Sequence, residues 1–526
     1  MPTEHFVAKV TDLQDGQMKE VALGDRTILL VRTNGQFHAV GGKCTHYDGP
    51  LAKGVLCGDR VLCPWHLAVF NVATGNLEEP PALDGLPRFD VRVQGDDVIV
   101  VLPDDVKWRR VLPMVAHDPA ADGRTFVIVG AGAAGSAAAE TLRQHGFKGR
   151  LVMITRERHL PYDRPDLSKG YLSSAEHAFS PLLRSAKFYA RYGIEVLTER
   201  EVVCVDASAK TVEFGDRSTL TYDKLLLAGG SRPRRLNVPG ADLEGVFVLR
   251  TLDDADRIHA AVAGASRAVV VGASFIGTEV AAHLNKRGLS VTMVAPETVP
   301  FERVFGSEIG RMFQTLHQSN GVRLEMEAQV ARFEGQGKVQ RVVLKDGRRI
   351  ETDLVVVGVG ATPDTEFVQG VERRSDGSIL VDRYLRAAED LYAAGDIARF
   401  IDARTGEHIR IEHWRVAQQQ GRTAARNMAG HPTAFDAVPV FWTNQHKLGL
   451  RYVGHAAEWD EVLFDGDPAA RKFVAYYIRG HRVLAAAGCD ESVKMAAIHE
   501  LMRAGRMPEP DELRAGRIDL LGRLRM

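Results

Sequence analysis

Two stretches of this chain carry the same fold-determining pattern: a run of apolar strand formers, a small-residue turn, and a helix start. The first is Phe126-Val-Ile-Val-Gly130-Ala-Gly132-Ala-Ala-Gly135, running into Ser136-Ala-Ala-Ala-Glu140. The second is Arg267-Ala-Val-Val-Val-Gly272-Ala-Ser274-Phe-Ile-Gly277-Thr-Glu279, where Ser274 stands in for the middle glycine. In such a unit one glycine makes the tight turn, one lets backbone approach a pyrophosphate, and one lets helix and strand pack closely. Free N–H groups at the helix N-terminus then face the phosphates. A chain carrying the unit twice is expected to hold two dinucleotides, which implies FAD and a nicotinamide. The acid expected at the end of the first unit's second strand is Glu157, in Leu151-Val-Met-Ile-Thr-Arg-Glu157. Taken singly, that residue reads nearly as well as a solvated charge in Arg156-Glu157-Arg158.

A different pattern precedes both units. Cys44-Thr-His46 is followed, after sixteen residues, by Cys63-Pro-Trp-His66. Two Cys on one iron and two His on the other form the ligand set of a Rieske [2Fe–2S] centre. Zinc also takes Cys2His2, but usually from separate Cys–Cys and His–His pairs. Here each motif mixes one thiolate with one imidazole, which ranks the cluster ahead of zinc and zinc ahead of chance. Gly41-Gly42 and Asp48-Gly49-Pro50 are turn residues, so the ligands fall on loops. Runs such as Thr27–Arg32 and Asp97–Val101 read as strands. The N-terminal region is therefore expected to be a small all-β domain with the cluster at two loop tips.

A length of 526 residues suggests three or four domains, and 45% hydrophobic content is ample for several cores. A net charge of −1 argues against a nucleic-acid partner or an anionic membrane surface. No apolar run is long enough to span a bilayer. Met1–Val10 lacks the apolar region of a secretory signal and is not Arg-rich. Five Cys is a low, odd count that fits a reducing compartment, so a cytoplasmic location is expected. Cys57, Cys204 and Cys489 read as ordinary thiols. Pro103–Arg124, rich in turn residues, reads as an interdomain linker.

From Arg124 onward the sequence resembles pyridine-nucleotide-dependent flavoproteins of glutathione-reductase-like fold. Within them it is similar to oxygenase-type ferredoxin reductases and the apoptosis-inducing-factor group. The residues that carry this are Arg158-His-Leu-Pro161-Tyr-Asp-Arg164-Pro-Asp-Leu-Ser-Lys169, Ala228-Gly229-Gly230-Ser231-Arg-Pro233-Arg, Val357-Gly358-Val-Gly360-Ala-Thr-Pro363, Leu391-Tyr-Ala-Ala394-Gly395-Asp396 and Ile411-Glu412-His413-Trp414. With the first domain included, nearly the whole chain resembles the Rieske-containing, apoptosis-inducing factor-like subgroup. The resemblance implies a Rieske domain over residues 1–103, a linker over 104–123, and an FAD domain in two pieces, 124–248 and 363–435. It places an α/β NAD(P)H domain over 249–362 and an α+β interface domain over 436–526. It also implies that Arg164 and Lys169 contact FAD, that Asp396 reaches the ribityl chain, and that Lys169 pairs with Glu279 beside the flavin ring. Phe275 would lie over the ring where nicotinamide stacks, with Glu412 and His413 near the same face. Trp442 reads as a core tryptophan ahead of one edging the flavin. Ala496–Arg506 and Glu512–Arg525 have helical spacing.

The nicotinamide unit departs from the pattern. Its second strand, Ser290-Val-Thr-Met-Val294, is followed by Ala295 where an acid is usual; Glu297, two residues on, is the candidate substitute, and no Arg or Lys follows at once. NADH and NADPH both stay open as donors.

Disulfide reductases of this fold carry a redox Cys pair after the first nucleotide unit. Here no Cys lies between Cys63 and Cys204. The expected exit for electrons is therefore the chain's own cluster, and beyond it a partner such as an oxygenase or another iron–sulfur protein, with the chain a monomer or homodimer. The positions where high-potential Rieske centres carry an extra Cys pair hold Gly49 and Trp65, which predicts a potential near roughly −150 mV. The main alternative is an NAD(H)-responsive signalling protein of apoptosis-inducing-factor type. A third reading has the chain act directly on a small molecule or O2, with the cluster structural.

Overall fold

One strand divides the N-terminal domain into two cores. In the computed structural model, which describes residues 2–173, 181–516 and 518–525, it runs from Arg26 to Thr33. Its residues Ile28, Leu29, Leu30 and Val31 are all fully buried. Because side chains alternate across a strand, Ile28 and Leu30 pack with Val98 and Val100 on one side. Leu29 and Val31 pack on the other, in the core that holds Cys44 and Cys63. The strand belongs to an antiparallel sheet ordered Thr3–Lys9, Asp97–Leu102, Arg88–Gln94, Gln36–Gly41, Arg26–Thr33, Gln17–Leu23. A smaller antiparallel sheet, Val55–Cys57, Arg60–Leu62, Val69–Asn71 and Leu77–Glu79, carries the second ligand loop.

The segment expected as a linker is a strap rather than a loose tether. Arg110 and Gly85 exchange backbone hydrogen bonds, and the Arg110 guanidinium donates to Leu86 O at 3.0 Å. Further on, Val115 N donates to Arg143 O and Asp118 N to Lys148 O. The strap thus ties the β domain to the next one.

Both nucleotide units form parallel sheets. The first is ordered Ile194–Leu197, Arg150–Ile154, Thr125–Val129, Lys224–Leu227, Leu391–Ala393, with Arg386–Ala388 antiparallel at the edge. The second is ordered Val246–Val248, Leu354–Val357, Arg267–Val271, Ser290–Val294, Arg323–Glu325. Their turns are built alike. Gly130 has φ 110° and a Cβ there would lie 2.2 Å from Ala228 O; Gly272 has φ 112° and a Cβ would lie 2.3 Å from Gly358 O. A Cβ on Gly135 or Gly277 would sit 1.9 or 2.0 Å from the carbonyl of the turn glycine. No other residue fits at these four places.

The C-terminal unit is a five-stranded antiparallel sheet, Val440–Gln445, Leu448–Gly454, Arg482–Cys489, Lys472–Arg479 and Glu461–Asp467, backed by the helix Ser492–Arg503. That helix starts and ends a few residues earlier than its sequence spacing predicts. The single helix expected over Glu512–Arg525 is instead two, Pro510–Ala515 and Leu520–Arg525. Gly516, at φ 76° and ψ 168°, ends the first with a backbone conformation that glycine alone adopts readily; Arg517 lies outside the described residues.

The β domain and the C-terminal unit share one core, in which Val55, Leu62, Leu67 and Val69 meet Val438, Val440, Val453 and Met495. Charge ties the β domain both to the C-terminal unit and to the first nucleotide domain. Arg415, with 0% of its side chain exposed, donates to Glu79 at 2.7 Å and to the carbonyls of Pro80 and Leu67 at 2.8 and 3.1 Å. Arg60 pairs with Glu500 at 3.1 Å, and Arg184 with Asp84 and Glu140 at 2.8 and 2.9 Å.

Glu79→Gln leaves the Arg415 guanidinium buried without its anion, which costs about 3–5 kcal/mol when a buried pair loses one partner. The expected outcome is a loss of that size in urea unfolding followed by near-UV circular dichroism. Acid acts on the same pair. Burial raises Glu79, but Arg415, His499 and Arg60 outweigh it and hold the carboxyl at about 2. The unfolded carboxyl titrates near ~4.3. The pair's contribution is thus complete above that value and is lost as pH falls from about 4.3 toward 2. Unfolding free energies measured between neutral pH and pH ~3 are expected to drop, and Glu79→Gln to flatten that drop.

Candidate functional site

A cavity of about 480 Å³ opens where the two parallel sheets and the C-terminal sheet meet, a size within the ~300–1,000 Å³ typical of ligand sites. The helix Ala133–Gln144 starts at its wall. Its N-cap, Gly132, offers no side-chain bond to the free N–H groups, and the space in front of Gly132 is open. A phosphate fits such a helix start. From there the wall runs past Glu157 and Arg164 to Gly229, Gly395 and Asp396. On the opposite side stand Phe275, Glu279, Gly360, Glu412 and His413. Gly135, Gly272 and Gly277 are not in the lining; they hold the turns described above.

The charged groups are individually anchored. Glu157 accepts from Arg164 Nη2 at 2.8 Å and from the Tyr162 hydroxyl. Arg156, its neighbour, turns instead to Asp364 at 2.9 Å. Asp396 accepts from Ser231 Oγ at 2.8 Å and Arg250 Nη2 at 2.9 Å. Burial raises its carboxyl, but Arg250 and Ser231 more than offset this and leave it below the usual range. Lys169 Nζ donates to Glu279 Oε2 at 2.8 Å, and Glu279 also accepts from Ser168 Oγ and Thr443 Oγ1. Glu412 pairs with Arg410. His413 stacks on Phe441 with ring centroids 4.2 Å apart, and burial pushes it down to about 4, so it is neutral at physiological pH. Phe275 packs edge-on against Phe441 and Phe301 at 4.8 and 5.1 Å.

The two Cys–His loops repeat one turn. Cys44 N donates to Gly49 O and Asp48 N to Cys44 O; Cys63 N donates to Ala68 O and Leu67 N to Cys63 O. Asp48 and Leu67 are left-handed at the same step of each turn. Backbone N–H groups of His46 and Tyr47 aim at Cys44 Sγ, and those of Trp65 and His66 at Cys63 Sγ. Gly49 lets the two loops approach closely, since a Cβ there would lie 2.8 Å from Cys63 Sγ. The His46 and His66 Nδ1 atoms face each other at 3.1 Å. Two nitrogens on one tetrahedral metal at ~2.1 Å stand roughly 3.4 Å apart, so this pair suits one iron and the thiol pair the other. Burial lowers both imidazoles, His46 to about 3, which keeps them neutral as metal binding requires.

The structure brings both sites together. The His66 ring lies 4.5 Å from the Trp442 ring, and Trp442 also lines the cavity. This corrects the core reading of Trp442: it is a half-buried partition between the two sites. Beside it, Tyr47 donates to Asp163 Oδ2 at 2.8 Å, and Arg451 Nε donates to Trp65 O at 2.8 Å. Burial pushes the Asp163 carboxyl up to about 6. Asp163, Arg250, Arg415 and Thr443 are site or docking residues that sequence reasoning did not single out, and Trp442 is one whose role it ranked wrongly. Asp163 and Trp442 sit inside or beside motif stretches; Arg250 and Arg415 carry no local signal, since each acts on a distant partner.

Residues 124–421 match the pyridine nucleotide-disulphide oxidoreductase family, residues 3–90 the Rieske [2Fe–2S] domain, and residues 440–522 the reductase C-terminal domain. Apoptosis-inducing factor 3 of Homo sapiens is 42% identical over 514 residues, covering 96% of this chain and 84% of its own length. The 5,5'-dehydrodivanillate O-demethylase ferredoxin reductase subunit of a Sphingobium strain is 37% identical over 366 residues, covering 68% and 88%. Among solved structures, the covalent putidaredoxin reductase–putidaredoxin complex matches with TM-score 0.72 and 31% identity over 77% of this chain and 99% of that one. The cavity geometry, the paired loops and these likenesses agree: the chain belongs to the pyridine nucleotide-disulphide oxidoreductase family, as an NAD(P)H-dependent flavoprotein of ferredoxin-reductase type with a Rieske [2Fe–2S] domain.

Proposed function

We propose that this chain draws electrons from NADH or NADPH into the cavity, moves them through its own Rieske site, and delivers them to a second redox protein. FAD, when bound, supplies two-electron chemistry with the nicotinamide, and the cluster, when bound, supplies one-electron carriage. The observation that carries the reading is Trp442, which lines the cavity on one side and packs against His66 on the other.

The roles follow from placement. The turn at Gly130 and Gly132 and the helix behind it hold a pyrophosphate; Glu157 accepts from ribose hydroxyls and Asp396 from the ribityl chain. Gly272, Gly277 and Gly360 shape the nicotinamide side, and Phe275 covers the face where the nicotinamide stacks. Lys169 with Glu279 fixes a charge pair at the flavin ring. Neutral His413 and the Arg410-bound Glu412 border the same face. Cys44, His46, Cys63 and His66 hold the cluster. Among the described residues no thiol pair lies beside the cavity, so the route through a redox cysteine pair of this chain has no support. The similar proteins named as ferredoxin reductase components, and the complex with putidaredoxin, support an iron–sulfur protein or an oxygenase as the recipient. Cavity and cluster site face each other within one chain, so a monomer suffices for the transfer, and a homodimer is compatible with it. None of the five cysteines is paired, which supports a cytoplasmic setting.

Anaerobic reduction with NADH, followed by electron paramagnetic resonance, tests this. The Rieske signal is expected to appear with NADH alone; a cluster that dithionite reduces but NADH leaves silent overturns the proposal. Cys63→Ser is expected to remove the cluster while flavin absorbance and NADH–ferricyanide turnover persist. Cytochrome c reduction should fall at least about tenfold, a loss of ~1.4 kcal/mol in transition-state terms. Undiminished cytochrome c turnover in that variant means that acceptors draw directly on the flavin.

A further inference from the structure

A buried chain of hydrogen bonds leads from the Lys169–Glu279 pair to the protein surface, away from the cavity. Thr443 Oγ1 donates to Glu279 Oε1 at 2.7 Å. Gln445 Nε2 donates to Thr443 Oγ1 at 2.9 Å and to Thr278 Oγ1 at 2.8 Å. Gln445 Oε1 lies 2.8 Å from His317 Nε2, and His317 Nδ1 lies 3.3 Å from His446 Nε2. Thr443 and His317 are 0% exposed, Gln445 1% and Glu279 3%. His446 alone reaches the surface, half-buried in the turn between the strands Val440–Gln445 and Leu448–Gly454.

The direction of every bond is fixed. The Lys169-paired Glu279 carboxylate only accepts, so the single Thr443 proton points to it. The Gln445 atom facing Thr443 must then be the amide nitrogen, which leaves its oxygen facing His317. His317 therefore carries its proton on Nε2. Burial lowers it to about 4, so Nδ1 is bare and accepts, and His446 donates through Nε2. All four donors point one way, toward Glu279, and chains of this kind polarise one another.

The turn offers an independent sign. His446 and Lys447 both have positive φ, 47° and 66°. Two-residue hairpin turns of this shape favour Asn-Gly, because other residues are strained there. An imidazole is kept at this strained position, where its Nε2 meets His317.

We propose that His446, His317, Gln445 and Thr443 form a one-way donor chain that orients the Glu279 carboxylate on Lys169, so that a surface-turn imidazole tunes the electrostatic potential beside the flavin ring. This rests on the placement of Lys169–Glu279 at that ring. The four are positioning residues, since none lines the cavity. His283, one turn further along the same helix, donates through Nδ1 to the Glu279 backbone carbonyl at 2.8 Å and does not touch the carboxylate. With a donor removed, the oriented dipoles that offset the Glu279 charge are weakened and the potential at the flavin ring becomes more negative. The reduced flavin, which gains negative charge, is then disfavoured.

The FAD-loaded full-length protein tests this through two readouts that do not depend on turnover. Histidine-selective 15N NMR is expected to show His317 protonated on Nε2. Spectroelectrochemical titration is expected to show a more negative flavin midpoint in Thr443→Val and in His446→Gly, while Thr443→Ser keeps the wild-type value. His446→Gly relieves the strained turn, so thermal stability should hold or rise while the flavin midpoint moves, which separates positioning from folding. The cluster midpoint should not change. His317 protonated on Nδ1, or flavin midpoints unmoved in both variants, overturns the donor chain. A wild-type protein whose flavin NADH does not reduce overturns the reading of the cavity instead.

Discussion

The proposed electron path depends on one contact, the His66 imidazole held against Trp442. A cluster on a mobile domain meets its donor only part of the time; here packing, charge and a strap all hold the β domain in place. Its small sheet shares a core with the C-terminal sheet, and a guanidinium with no solvent exposure is clamped by Glu79 at the seam. Buried ion pairs add little net stability, yet they penalise every arrangement that separates the partners. Arg415 and Glu79 therefore act mainly on position. The strap through Arg110, Val115 and Asp118 serves the same end, by pinning the chain between the domains on both sides.

The cavity shows the same preference for fixed charge. Glu157, Asp396 and Glu279 each have two or more donors. No carboxylate of the three has to be ordered when a nucleotide arrives, so less conformational freedom is lost on binding. The flavin-side pair is linked through Thr443 and Gln445 to the C-terminal sheet, the sheet that also carries Trp442. The element that partitions the two redox sites thus also holds the charge at one of them.

Much of this was legible in the sequence because the decisive residues are local. A strand, a glycine turn and a helix start must be neighbours in the chain, so Gly130, Gly135, Gly272 and Gly277 announce both nucleotide units. The cluster ligands come in two short motifs for the same reason, since each pair rides on one turn. What the sequence concealed is what distant segments do to one another. Arg415 looks like any helix cation until Glu79 is placed beside it. Trp442 looks like a core residue because its strand alternates like any other. Only the docked β domain supplies the imidazole that gives it a second face. The C-terminal helices were misjudged for a local reason, the positive-φ Gly516 that cuts a helical spacing in two.

The central claim is that cavity and cluster exchange electrons inside one chain held in one arrangement. Stopped-flow mixing with NADH, monitored at the cluster absorbance across a wide range of protein concentrations, measures this most directly. A single first-order rate constant, independent of protein concentration, is the predicted result. A rate that rises in proportion to concentration would contradict the account, because it would mean that each cluster is filled by the flavin of another molecule.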